Sequence, residues 1–182
     1  MRDFGRVRRK RPLIIIGLGN EILTDDGLGI RVVRMLKERL RTVEVDIQEL
    51  QVGGFHLLDY VTGYQQCIIV DAIVTGIHPP GTSFRFTQTP ESEPVTITSS
   101  HQLNLAQVLT LGKLLGADVP ERLTVYAMEA SDVMTFHDGC TEEVARAIPD
   151  LVETVYRDVK GAGARAGTGA GRWQRLTEIC PV

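Results

Sequence analysis

The sequence predicts one α/β domain: a three-layer sandwich whose twisted, mostly parallel sheet of about five strands is flanked by helices. Two observations carry this reading. Residues 13–17 (Leu-Ile-Ile-Ile-Gly) and 66–71 (Gln-Cys-Ile-Ile-Val-Asp) are apolar at nearly every position, as strands buried on both faces of a parallel sheet must be. Strand and helix patterns also alternate along the chain in the order β-α-β-α-β-β-α-β-α, which places helices on both faces of the sheet. A length of 182 residues with 43% apolar and 24% charged side chains fits a single globular core.

The elements follow in order. Strand one covers residues 13–17 and leads into a polar, glycine-containing loop over 18–27. Leu28, Val32, Met35, Leu36 and Leu40 form one stripe at helical spacing, which predicts a helix over 28–41. Val43, Val45 and Ile47 alternate with Glu44, Asp46 and Gln48, marking a second strand. A short helix is expected over 55–61 after Gly53-Gly54, and the third strand over 66–71 ends in Asp71. His78-Pro79-Pro80-Gly81 reads as a turn. A strand over 82–87 follows, with Phe84 and Phe86 on one face, then polar loop over 90–94. A helix over 103–115 ends at Gly116, a strand covers 122–128, and a last helix covers 141–160, where Pro149 should kink or divide it. The organisation is therefore a basic extension over 1–12, the α/β domain over 13–159, and a Gly/Ala-rich tail over 160–182. That tail begins KGAGARAGTGAG, a linker composition, and carries Trp173, Leu176 and Ile179 at the spacing of one helical turn.

Composition excludes several function classes. The net charge is −3; Arg2, Arg6, Arg8, Arg9, Lys10 and Arg11 with Asp3 give the N-terminus a local +5, leaving −8 for the remainder. An acidic body argues against nucleic-acid binding. No apolar run approaches the roughly 18 residues of a membrane-spanning helix. No signal-peptide core with a cleavage site is visible, so a cytoplasmic location is expected. Cys67, Cys140 and Cys180 are odd in number and widely spaced, which indicates neither a disulfide framework nor a zinc ribbon. Cys67 reads as core packing. Cys140 lies near a helix start, where a thiolate is favoured, but has no base beside it.

Chemistry-bearing residues collect in the loops that follow strands. Gly17-Leu18-Gly19-Asn20 begins a GxGxxG pattern, but Ile22 occupies the third glycine position, so the dinucleotide fingerprint is incomplete. Glu49 is placed to imitate a ribose-binding acid; the plainer reading is glycines serving a tight turn. Thr24-Asp25-Asp26-Gly27 sets two carboxylates just before a helix. One of them fits an N-cap, which leaves the other for chemistry. Asp71 closes an apolar strand, at the carboxyl edge where open α/β sheets bind ligands. With strand order 2-1-3, Asp26 and Asp71 converge there. His101 follows Ser99-Ser100 at a helix start, which favours a neutral imidazole. Two carboxylates and a neutral imidazole form a metal-ligand set. His56, His78 and His137 read as surface residues. No GxSxG, HExxH or P-loop motif occurs.

Those same residues resemble a known family, the nickel-iron hydrogenase maturation endopeptidases. The resemblance rests on 16–20 (Ile-Gly-Leu-Gly-Asn), 23–29 (Leu-Thr-Asp-Asp-Gly-Leu-Gly), 70–73 (Val-Asp-Ala-Ile), 80–82 (Pro-Gly-Thr) and 100–103 (Ser-His-Gln-Leu). Glu129 and the helix start over 141–144 add to it. It implies an aspartic-type endopeptidase that removes a C-terminal extension from the hydrogenase large-subunit precursor after nickel insertion. It also implies that Asp26, Asp71 and His101 meet the metal, with Gly19, Asn20 and Asp25 as the supporting loop. Asp26 stands where many members carry Glu, one methylene longer. The Asp-Gly-Gly stretch of some members is not plainly present; Glu49 or Gly53-Gly54 stands nearest to it. No tightly bound cofactor is implied, the nickel belonging to the substrate. Two other classes stay open on the residues alone: a metallohydrolase with its own divalent metal, and a nucleotide-binding module.

Overall fold

The computed structural model describes residues 11–51, 54–88 and 105–162. Its strands are β1 (Arg11–Leu18), β2 (Asp46–Leu50), β3 (Tyr64–Ile73), β4 (Ser83–Gln88) and β5 (Arg122–Glu129); its helices are α1 (Leu28–Arg39), α2 (Leu57–Val61), α3 (Leu105–Leu114) and α4 (Glu142–Ala162). The sheet order is β2-β1-β3-β5-β4, with β4 alone antiparallel to its neighbour. β1 is thus flanked by β2 on one side and β3 on the other, the 2-1-3 order that the sequence reading required. The crevice above that reversal is where the carboxyl ends of β1 and β3 meet.

Alternation along the strands builds two apolar layers. Ile14, Ile16, Leu18, Ile69, Ile73, Val125 and Ala127 face Leu57 and Val61 of α2 and Val108 and Leu109 of α3. Ile15, Ile68, Val70, Ala72, Tyr126 and Met128 face α1 and α4, which contribute Leu28, Val32, Val33 and Leu36, and Val144, Ile148, Val152 and Val155. The result is the expected three-layer sandwich. Among the described residues, no helix is long and apolar enough to cross a membrane.

Several boundaries move for physical reasons. β2 starts at Asp46 because its pairing with β1 starts there, Ile14 opposite Asp46; Val43 and Val45 instead pack half-buried beneath the α1/α4 layer. β3 runs two residues past Asp71, since its ladder with β5 continues to Ile73 opposite Glu129. α4 is continuous through Pro149 and reaches Ala162, so the proline does not divide it. Its apolar stripe, buried from Val144 to Val159, holds the helix across the one missing N–H. His101, Gly53 and the segments over 1–10, 90–94 and 163–182 lie outside the described residues.

The N-terminus of α1 sits hard against the sheet. A Cβ on Gly29 would lie 2.2 Å from the Leu18 carbonyl oxygen and 2.4 Å from that of Val70. Both obstacles are backbone, so no side chain can move aside. Gly29→Ala should therefore cost about 3 kcal/mol or more, read as a lowered denaturation midpoint. Gly161→Ala is the control: that position has open space in α4, and alanine there should add about 0.5–1 kcal/mol.

Candidate active site

Three loops rise from the carboxyl edge of the sheet: residues 19–27 after β1, 74–82 after β3, and 130–141 after β5. The first turns sharply at Gly19, whose φ of 145° suits glycine and whose Cβ position falls 1.9 Å from the Asp26 carbonyl oxygen. Two of the hydrogen bonds that close the loop on itself involve Asp26. The Asn20 N–H donates to Asp26 Oδ2 (2.8 Å), and the Asp26 N–H donates to the Leu23 carbonyl (2.8 Å). Asp26 is 3% exposed and Asp71 4%. Asp71 shares its strand face with Ile69 and Ile73, and its Oδ1 accepts the Ala72 N–H (2.9 Å). The turn carrying Asp26 packs against β3, and Gly29 lies against the Val70 carbonyl, one residue before Asp71. Both acids thus belong to the β1/β3 switch point. Among the described residues, no three His, Cys, Asp or Glu side chains form a metal-holding group; His101, the expected third donor, is not one of those residues.

Neither Asp25 nor Asp26 caps α1. Its N-cap is Gly27, with no side-chain hydrogen bond. Asp25 is instead fully buried, and its carboxylate gathers donors from a distant loop. Oδ2 accepts the Ser131 and Asp132 N–H groups (2.9 and 3.0 Å). Oδ1 accepts the Thr141 N–H (2.7 Å) and the Thr141 hydroxyl (3.0 Å). The Asp25 N–H returns a bond to the Asp132 carbonyl (2.9 Å). A carboxylate with this many partners is satisfied in place, so Asp25 clasps the first and third loops together. Local spacing could not reveal it, because its partners lie more than 100 residues away.

Glu129 plays the equivalent part for the middle loop, again unseen from spacing. It is 1% exposed. Its carboxylate accepts the Thr75 N–H (2.7 Å), the Thr75 hydroxyl (2.7 Å) and the Gly76 N–H (2.9 Å). Arg34 of α1 braces the first loop from outside. Its guanidinium forks onto Glu21 (2.5 and 2.6 Å) and reaches Glu49 (2.9 Å), and it holds the Glu21 carboxyl below the usual range. Glu49 is therefore occupied by an arginine. Gly17 is spent on the close approach of α1, since a Cβ there would sit 2.3 Å from the Gly29 carbonyl oxygen. The glycine turn is filled by the chain's own backbone, which leaves no phosphate cradle of the dinucleotide kind.

His56 and His137 are exposed, whereas the His78 ring packs edge-on to Phe84, centroids 5.0 Å apart. Cys140 departs from its expected tendency. Burial, then the neighbouring Asp25 charge, pushes its thiol up to about 11, and burial alone pushes that of Cys67 higher still. At pH 8 the Cys140 thiolate fraction is about one in a thousand, against roughly a quarter for an ordinary thiol. Alkylation of the native protein at pH 8, mapped by mass spectrometry, should leave Cys67 and Cys140 unmodified over times that label both in urea. Rapid labelling of native Cys140 would contradict this geometry.

Comparison with known proteins places these features in context. The family model described as "Hydrogenase maturation protease" matches residues 30–158, a span that includes Asp71 and His101 and starts just after Asp26. The hydrogenase 2 maturation protease of Escherichia coli K12 is 31% identical over 158 residues, covering 85% of this chain and 94% of its own. The hydrogenase expression/formation protein HupD of Rhizobium leguminosarum is 27% identical over 154 residues, covering 83% and 75% respectively. Among solved structures, the hydrogenase maturating endopeptidase HybD of Escherichia coli superposes with a TM-score of 0.66 at 28% identity, covering 84% of this chain and 94% of its own.

Proposed function

The chain belongs to the hydrogenase maturation protease family, and on that premise we propose that it removes the C-terminal extension of a [NiFe] hydrogenase large-subunit precursor once nickel has been inserted. The supporting observation is the pair of buried acids at one switch point, Asp26 in the first loop and Asp71 near the end of β3, beside loops braced by two further buried carboxylates. Taking carboxylates out of water is costly, so acids buried together at the ligand-binding edge of an α/β sheet mark chemistry.

In this reading Asp26, Asp71 and His101 face the precursor's nickel, which arrives as part of the substrate. The donor chemistry fits such a visit. Carboxylate and imidazole are acceptable to nickel, while the thiolates it prefers are not offered by the buried Cys67 or the protonated Cys140. Nickel in that position supplies an anchor for the precursor and a Lewis acid near the scissile carbonyl. The chain's own contribution is positioning and proton handling. The Asn20 N–H fixes one oxygen of Asp26, the Ala72 N–H fixes one oxygen of Asp71, and either carboxylate is a candidate base for an attacking water. The test is direct: nickel-loaded precursor is mixed with purified protein and its mass followed. Loss of a C-terminal segment is expected, and an unchanged mass would refute the proposal.

A further inference from the structure

We propose that the clasped loops, residues 20–25 and 131–141, form a docking lip for apolar side chains of the polypeptide being cut; this rests on the peptidase reading above. Three large apolar residues stand on the lip in solvent: Ile22 at 59%, Met134 at 80% and Phe136 at 76% exposure. Single exposed apolar residues are ordinary, but a group carried on two loops that are bonded to each other marks an interaction surface.

This group is held. Leu23 and Phe136 form an antiparallel bridge, and the His137 N–H donates to the Ile22 carbonyl (3.1 Å). The Thr24 hydroxyl donates to the Thr135 carbonyl (2.6 Å). The Met134 and Thr135 N–H groups both donate to Asp132 Oδ1 (2.9 and 3.0 Å), which shapes the tip. Thr24 keeps a φ of +25°, a strained value for a β-branched residue that persists only where the surroundings enforce it. Beneath all of this lies the Asp25 carboxylate with its four donors. Hydrogen bonds and strain thus fix the backbone that carries three apolar side chains outside the core, and a pre-ordered backbone lowers the entropic cost of binding.

Position identifies the occupant. The Leu23 carbonyl accepts the Asp26 N–H, so one turn carries both the lip and a catalytic acid. A polypeptide engaged at Asp26 lies one hydrogen-bonded turn from the Leu23–Phe136 bridge. The lip therefore fits apolar residues of the precursor close to the cleaved segment.

The test is the triple variant Ile22→Ser, Met134→Ser, Phe136→Ser. All three side chains are exposed, so circular dichroism and the melting temperature should match wild type. The KM for nickel-loaded precursor should rise about tenfold or more while kcat stays within about twofold, the pattern of lost uniform binding. Replacing the same residues with leucine, which keeps the apolar surface, should return KM to near the wild-type value. A serine variant with wild-type KM would overturn the lip. So would a wild-type dimer that the serine variant converts to monomer without a change in KM, since that assigns the face to a second copy. Wild-type protein that fails to cut the precursor overturns the peptidase reading itself, and the lip with it, a failure visible before any variant is made.

Discussion

Precursor that lacks nickel should remain full length in the presence of this protein, while the same precursor carrying nickel is shortened, with rates differing by about a hundredfold or more. The expectation follows from the donor inventory. The proposed site offers two carboxylates, Asp26 in the loop after β1 and Asp71 near the end of β3, and the imidazole of His101. A resident metal usually gains a closed set of four protein ligands, or three strong ones with an ordered second shell. Nickel held by two carboxylates and one imidazole is bound weakly, and thiolates supplied by a substrate strengthen the grip. Metal and polypeptide then engage together, and a precursor without the ion loses its anchor. A hundredfold difference corresponds to about 2.7 kcal/mol, a modest demand on one or two metal–ligand contacts. Mass spectrometry of matched precursors measures it. Equal cleavage of both forms would defeat the nickel-sensing reading. A stoichiometric zinc surviving dialysis would replace it with a metallohydrolase that owns its metal.

Asp26→Asn and Asp71→Asn should each lower kcat by about a thousandfold or more, equivalent to about 4 kcal/mol of barrier, with the melting temperature nearly unchanged. Asparagine retains a carbonyl oxygen. It can still accept the Asn20 N–H at position 26 and the Ala72 N–H at position 71. What it loses is charge and basicity. His101→Ala should share the loss of activity. Asp25→Asn, one residue away, should behave in the opposite sense. There an amide NH2 must enter a nest of donors from Ser131, Asp132 and Thr141. Leaving such groups unmatched costs about 2–3 kcal/mol of stability. Thermal denaturation and processing assays on the adjacent variants separate the roles. Unfolding of Asp71→Asn with retained specific activity would make that acid structural and the assignment wrong.

The contrast between positions 25 and 26 also marks where sequence reasoning stops. The architecture was legible because continuous apolar runs and their alternation with amphipathic stretches are local signals. Ile14 to Leu18 and Cys67 to Val70 are buried as their composition demands. Strand ends were less legible, since β2 and β3 end where a partner strand permits and not where the pattern fades. Alternation over Val43, Val45 and Ile47 is real, yet pairing with β1 begins only at Asp46. The sequence identified the loop bearing two acids and the strand bearing Asp71. It could not tell clasp from candidate catalyst, because that distinction depends on donors supplied after β5. Glu129 was visible only as a matching residue within a resemblance, and its hold on Thr75 and Gly76 is a tertiary fact.

The Asp25 clasp bears on modularity. Surface loops are ordinarily the exchangeable parts of an α/β scaffold, and a loop that selects its client would be an obvious unit to transplant. Here the segment after β5 cannot travel alone. It carries the donors for a carboxylate that belongs to the segment after β1, and Thr141, its last contributor, also stands at the threshold of α4, where its carbonyl accepts the Ala145 N–H. A chimera built from two relatives would need residues 20–27 and 131–141 taken as one cassette from one parent. The two segments thus have to be inherited as a linked pair, coupled through the Asp25 carboxylate and the backbone bridge beside it.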